Sequence, residues 1–157
     1  WNAYFNTKLR DKIGMTGTWV PDGDLSVYWS TPRSMARFGL LALANGNWNG
    51  TQIINAAYLN NTTTTSQSIN LAYGYLWWLN GKTSYHMPQS QLQIPGTLIP
   101  TAPSDMYCAL GKNDQKIYVV PSKKLVIIRM GDAADGSNFA LSDFDEVLWQ
   151  KISAVIN

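Results

Sequence analysis

The stretch from Asp105 to Asp132, DMYCALGKNDQKIYVVPSKKLVIIRMGD, constrains the fold of this chain most tightly. It holds two strongly apolar strands, Lys116–Val120 and Leu125–Met130, separated by Pro121-Ser122-Lys123-Lys124. Proline presets φ and the polar residues suit a tight connection, so the pair reads as a β-hairpin. Leu125-Val126-Ile127-Ile128 is an unbroken apolar run, the pattern of a strand buried on both faces. A third extended segment, Met106–Leu110, comes just before, joined through Gly111-Lys112-Asn113-Asp114, residue types that suit turns and, for Gly and Asn, positive φ. The expectation is a three-stranded antiparallel meander over 105–130. An isolated hairpin is marginal in water, so the meander needs a helix or a further sheet over its face.

A length of 157 residues suits one domain with a real core. Hydrophobic residues make up 45% and charged residues 14%, which excludes a disordered tail. A net charge of +2, with basic residues scattered and no run longer than Lys123-Lys124, gives no footprint for nucleic acid. No apolar run is long enough for a membrane-spanning helix. The single cysteine precludes a disulfide within the chain and leaves the redox compartment undecided. Trp1-Asn2-Ala3-Tyr4 is a start compatible with a mature secreted chain or with a piece of a longer protein.

Around the meander, residues 2–12 read as a helix stopped by Gly14, and Met15–Asp24, with Gly17, Pro21 and Gly23, reads as loop. Ser30-Thr31-Pro32 opens the clearest helix, capped by Ser or Thr with Pro at its first position. Met35, Phe38, Leu41 and Ala42 share one of its faces, and Asn45-Gly46 ends it. A short helix is expected around Ala56–Leu59. Tyr73-Gly74-Tyr75-Leu76-Trp77-Trp78 reads as an aromatic strand, and Asn80-Gly81 as a hairpin turn. Lys82–Pro103, with four prolines, reads as a long loop. After a turn over Ala133–Asn138, Ser142 and Asp145 suggest a capped final helix with Phe144, Val147, Leu148, Ile152 and Val155 as its apolar stripe. The fold class is α+β: an antiparallel sheet, made of the 105–130 meander and a strand near 73–78, flanked by helices, with the C-terminal helix packed on it.

The common chemical signatures are absent. There is no G-x-S-x-G, H-E-x-x-H, phosphate loop, C-x-x-C or S-x-x-K. One His and one Cys argue against an all-protein zinc site, so no metal and no cofactor are expected. His86 in the Pro-rich loop suits solvation better than a triad, and Cys108 in an apolar strand suits packing better than reactivity. Two Tyr-x-Asn triplets, Tyr4-Phe5-Asn6 and Tyr58-Leu59-Asn60, arise easily in a chain rich in both residues. Successive residues of a strand face opposite ways, so of Trp77 and Trp78 one can be core while the other lines a cleft. Tyr75 and Trp77 are the candidate pocket aromatics. Sequons at Asn49, Asn60 and Asn61 have meaning only in a glycosylating source.

Several segments together resemble the C-terminal part of the class C β-lactamase-related serine hydrolases, which include family VIII-type esterases, D-amino-acid peptidases and 6-aminohexanoate-dimer hydrolases. They are Lys8-Leu9…Ile13-Gly14-Met15, Thr18-Trp19, Ser30-Thr31-Pro32-Arg33-Ser34-Met35-Ala36-Arg37-Phe38-Gly39, Tyr73-Gly74-Tyr75-Leu76-Trp77-Trp78, Gly111…Gln115…Val119-Val120-Pro121 and Leu125-Val126-Ile127-Ile128. In order and spacing they cover essentially the whole chain. The resemblance implies a β-lactamase/transpeptidase-like fold, incomplete here, and acyl transfer through a serine ester. It implies that the Ser/Lys and Tyr boxes precede Trp1, since Tyr4-Phe5-Asn6 lies too close to Gly14-Met15 to be the second box. No catalytic residue is therefore expected in this chain. The third box falls near Ala109-Leu110-Gly111, without its usual Lys and Thr, which favours an esterase, amidase or peptidase over recognition of a β-lactam carboxylate.

On that resemblance, Ala109, Leu110, Gly111 and Lys112 are candidates for substrate binding or for a backbone oxyanion donor. The substrate would be a small molecule or peptide held together with the N-terminal part, and a periplasmic or secreted location is favoured. Alone, the chain is expected to be inactive. The alternative is a non-catalytic peptide- or glycan-binding module built on the aromatic strand 73–78.

Overall fold

The structure is a computed structural model that describes residues 1–134 and 141–156. The turn expected over Ala133–Asn138 falls, from residue 135 onward, outside the described residues.

The N-terminal helix α1, Asn2–Phe5, continues as a π-helical stretch over Asn6–Arg10, and Gly14 follows at φ 66°. Met15–Asp24 is not the loop its Gly and Pro content suggests. Gly17–Asp22 forms strand β1 and pairs antiparallel with β2, Leu25–Ser30. Gly23, at φ 60°, supplies the positive φ that a two-residue turn between Asp22 and Leu25 requires. Pro21 is tolerated because the hairpin is a two-stranded ribbon of its own, where a missing N–H can face solvent. Trp19 and Tyr28 lie opposite one another in register, and Phe5 packs on both rings at centroid distances of 5.2 and 4.9 Å.

Helix α2, Pro32–Leu43, starts as expected: the Thr31 hydroxyl accepts the Ser34 N–H, and Pro32 needs no partner at the first position. It ends at Asn45 and Gly46, both at positive φ. A small ribbon of β3 (Asn47–Trp48) and β4 (Thr51–Gln52) leads to α3, Ala56–Thr62, capped by Asn55.

The main sheet has the order β10-β9-β8-β5, all antiparallel, with β5 Trp78–Leu79, β8 Tyr107–Gly111, β9 Gln115–Val120 and β10 Leu125–Arg129. The meander is therefore present in the expected order. Burial is greatest on β9, whose Tyr118, Val119 and Val120 are fully enclosed, while β10, at the edge of the described sheet, is half-buried throughout. The aromatic strand near 73–78 is realised at its C-terminal end as β5. Residues 73–77 form a turn closed by the Gly74 N–H on the Trp77 carbonyl at 2.8 Å.

Asn80-Gly81 does not join a hairpin. The Asn80 side chain is buried and clamps the incoming loop. It accepts from the Thr97 hydroxyl (2.7 Å) and the Ile99 N–H (2.9 Å), and donates to the carbonyls of Ile99, Ala102 and Pro103. The stretch 82–103 is thus anchored, and it contains its own ribbon, β6 (Ser84–His86) with β7 (Gln93–Pro95).

Two helices cover the sheet. Phe38, Ala42 and Leu43 of α2 pack with Trp77, Leu79, Tyr107, Ala109, Ile117, Val119 and Val126. Gly39 makes this close: a β-carbon there would lie 2.5 Å from Val126 Cγ1. On the other face α4, Asp143–Ser153, brings Trp149 against Tyr118 with rings edge to face at 5.4 Å. Leu148 and Ile152 join that cluster, but Val147 and Val155 of the expected stripe are exposed. The buried face instead runs through Asp145 and Trp149, one turn apart.

Candidate active site

Strand β8 organises the candidate site. The Asn80 N–H donates to the Met106 carbonyl at 2.9 Å, and Trp78 pairs with Cys108. Main-chain groups of paired antiparallel residues alternate between the two sides of a strand. Met106, Cys108 and Leu110 therefore turn their N–H and C=O toward β5, and Tyr107, Ala109 and Gly111 turn theirs toward β9. The register would bring residue 76 opposite Leu110, but β5 begins at Trp78. The chain has already turned aside, with Leu76 at φ 65° in the preceding turn. Leu110 consequently offers its main-chain groups to a gap in the sheet edge.

A cavity of about 390 Å³ lies there, lined by Asn70, Tyr73, Trp78, His86, Met87, Pro88 and Leu110. Tyr73 and Trp78 make an edge-to-face aromatic wall, with centroids 4.9 Å apart. Burial raises the Tyr73 phenol above its ordinary pKa, so the hydroxyl stays neutral. The Asn70 amide fixes the opposite side by donating to the His86 carbonyl at 3.3 Å and accepting the His86 and Ala72 N–H groups at 3.4 and 3.1 Å. The cavity is thus an open recess of mixed lining, with an aromatic wall on one side and the Asn70 amide and the His86 imidazole on the other.

Of the four strand candidates, Leu110 alone lines the cavity. Ala109 packs on the α2 side, Gly111 faces Gln115 across the ladder and Lys112 is exposed. Tyr75 is half-exposed beside Tyr58, with ring centroids 6.5 Å apart. Trp77 is buried between Phe38 and Tyr107 on the α2 face. Neither lines the cavity; their neighbours Tyr73 and Trp78 do. Strand alternation separates Trp77 from Trp78, but only the pairing of Trp78 with Cys108 tells which one shares a face with Leu110. Cys108 is fully buried and its thiol is pushed well above its ordinary pKa, by burial first and then by Asp145, so it is inert packing. No group of His, Cys, Asp and Glu among the described residues is placed to hold a metal ion.

Just beyond Leu110, the β8–β9 turn has Asn113 and Asp114 at φ 57° each. Its Asp114 side chain is fully buried. It accepts from the Ala134 N–H and the Ser142 hydroxyl, both at 2.9 Å, and pairs with Lys116 Nζ at 3.1 Å. The same ammonium meets Asp145 at 2.8 Å, and the Tyr118 hydroxyl donates to Asp145 at 2.5 Å. Burial by itself would raise the Asp114 carboxyl. The bonds from Ala134, Ser142 and Lys116 outweigh it and hold the group below its usual range. Asp145 also accepts the Ser142 N–H at 3.1 Å, so the expected cap residue doubles as a buried ion-pair partner. Sequence reasoning missed this group, although a Lys in an otherwise apolar strand three residues before the 119–121 Val-Val-Pro was a visible signal.

No protein-family model matches the chain, and no curated protein matches it. Solved structures do. One described as a 6-aminohexanoate-dimer hydrolase from Bacillus anthracis superposes with a TM-score of 0.66 at 22% identity, over 95% of this chain and 37% of that one. Another, described as a β-lactamase from Bacteroides dorei DSM 17855, gives a TM-score of 0.62 at 14% identity, over 97% of this chain and 51% of that one. The chain therefore matches between about a third and a half of the length of these structures. Its fold is that of one part of a β-lactamase/transpeptidase-like structure.

Proposed function

We propose that this chain is the C-terminal segment of a β-lactamase-like serine hydrolase domain that cleaves an ester, amide or peptide bond through an acyl-serine intermediate. The observation that carries the reading is the Leu110 peptide, turned into a gap at the sheet edge beside the open recess that Asn70, Tyr73, Trp78, His86 and Met87 line with it. Two further features support it. The neighbouring structures extend well beyond the matched share, and the apolar strand β10 has no partner on its outer side among the described residues.

In this reading a serine from a preceding segment attacks the carbonyl carbon, and the Leu110 N–H, with the N–H of the serine itself, binds the developing oxyanion. Removing one such donor typically costs about 10²–10³ in kcat. The recess takes part of the substrate. No residue of this chain acts as nucleophile, so the 157-residue chain alone is inert.

The test is hydrolysis of a p-nitrophenyl ester by the longer natural chain containing these residues. A serine-linked acyl adduct in the mass spectrum and a 10²–10³-fold lower kcat in Leu110→Pro are expected, while Leu110→Ala, which keeps the N–H and loses only the lining side chain, should raise KM and leave kcat nearly unchanged. Circular dichroism verifies that the proline variant folds. Where it does not, acyl-adduct detection decides. Hydrolysis by the isolated 157-residue chain at rates near those of the longer one overturns the reading.

The binding-module alternative draws on the exposed Tyr58–Tyr75 pair. Because Trp77 and Trp78 are both buried, it retains little aromatic surface for a glycan.

A further inference from the structure

We propose that the buried Asp114–Lys116–Asp145 group is a positioning device that holds the Leu110–Lys112 peptides at the sheet edge in their working geometry. The proposal rests on the hydrolase reading for what those peptides do. Its structural claim stands apart.

Lys116 is the cross-strand partner of Leu110, so the two side chains share one face of the sheet. Between them runs a turn in which Asn113 and Asp114 both adopt φ 57°. The Gln115 N–H closes this turn on the Lys112 carbonyl, and Asn and Asp are residues that such hairpin turns favour. Two successive non-glycine residues in the left-handed region are still costly, and the Asp114 side chain adds support from the core. It is drawn into the core by Lys116, Ser142 and Ala134, and Lys116 is in turn fixed by Asp145 at the first turn of α4. The outer side of the turn has a different anchor. Arg129 donates to the Asn113 and Asp114 carbonyls, and Gln115 to those of Asn113 and Gly131. Those bonds are met at main-chain oxygens and are exposed or part-buried. The side chain of Asp114 is the one tie from the turn residues into the buried ion group. Among the described residues, the ionisable groups facing the cluster are Tyr118 and Cys108 from the sheet, with Asp145 from α4.

A purely structural ion pair would lower stability when broken and leave the folded enzyme's chemistry alone. A positioning group acts on kcat. In the longer natural chain, Lys116→Met is expected to lower kcat about 10- to 100-fold with KM changed little, since a misplacement near 1 Å can cost about 10²-fold. The rescue is Lys116→Met combined with Asp114→Gly: glycine takes positive φ unaided, so the turn no longer needs its anchor and most of kcat returns. In the same longer chain, amide chemical shifts from Leu110 to Asp114 should move in Lys116→Met and move back in the double variant. Arg129→Ala should shift them far less. Unmoved Leu110–Asp114 shifts in a folded Lys116→Met chain, or its undiminished kcat, overturn the proposal. If the wild-type longer chain hydrolyses nothing, the hydrolase reading falls, and the amide shifts still decide the positioning claim. Should Lys116→Met fail to fold, Asp145→Asn takes its place, with the same shifts expected.

Discussion

The two faces of the main sheet are covered by helices of similar length but built from different material. The α2 face is closed by Phe38, Ala42, Trp77, Val119 and Val126, and the buried charged side chains among the described residues, Asp114, Lys116 and Asp145, all belong to the other face. The α4 face encloses a Lys, two Asp and a Tyr hydroxyl beside Trp149. Apolar burial is non-directional and indifferent to pH, so the α2 face holds the sheet together without specifying one turn geometry. The α4 face trades some of that for direction: a buried ion group is weak evidence for stability but fixes the atoms around it. The fixed atoms are those of the β8–β9 turn next to Leu110. The candidate cavity also opens toward the α4-facing side chains, Trp78 and Leu110. One face of this sheet reads as scaffold and the other as site.

The largest expected effect breaks the charged face. Lys116→Met leaves Asp114 and Asp145 buried without their shared cation, and breaking a buried pair typically costs about 3–5 kcal/mol. Replacing all three with apolar residues should cost much less. Both are read from urea midpoints at unchanged m-value. The matching change on the scaffold face is Gly39→Val. Its new β-carbon meets Val126 Cγ1 at 2.5 Å, and overpacking of this kind costs about 1–3 kcal/mol. A loss at Gly39 exceeding that at Lys116 would undo the contrast.

A pH series sharpens it next. The Asp114 carboxyl is held below its ordinary 3.8 in the folded chain. The stability it contributes is fully present above that value and is lost as pH falls through the depressed folded one. Asp114→Asn should therefore flatten the acid limb of the stability profile below about pH 4. At the alkaline end the sign reverses and the faces behave alike. Burial raises Tyr118 on one face, with Asp145 adding to it, and on the other face burial raises Tyr107 to about 12. Their contribution is intact below pH 10 and disappears as pH climbs through the folded values. An acid limb unchanged in Asp114→Asn would locate the acid sensitivity elsewhere.

The scaffold was more legible in the sequence than the site. The meander could be read because each strand is an apolar run closed by residues with a defined turn preference. Likewise α2 carries its cap, its first-position Pro and its Asn-Gly stop in order. The β1–β2 ribbon escaped because Pro21 and Gly23 resemble loop chemistry until the strand pairing shows that one sits where no N–H is needed and the other at the turn. Trp77 and Trp78 could be split between faces but not allotted, since allotment depends on a register set by the distant Cys108. Asp145 was recognisable as a cap residue. Nothing local reveals that its carboxylate also reaches a lysine in β9, because that contact depends on how α4 docks.

Helix α4 supplies the smallest and most diagnostic test of that docking. Counting apolar residues alone puts Val147 and Val155 on the inner stripe, and burying a valine side chain is worth about 1.5–3 kcal/mol. The Lys116–Asp145 pair acts together with the packing of Trp149, Leu148 and Ile152 to hold the helix in a rotation that carries Asp145 and Trp149 inward, and Val147, two residues on from Asp145, outward to 50% exposure. Val147→Gln and Val155→Ser should therefore each change stability by no more than about 0.5 kcal/mol, as surface substitutions do. A loss of about 2 kcal/mol at Val147 would mean that apolar pattern, not the ion group, sets the angle of α4. The turn beside Leu110 would then have lost the support argued for it.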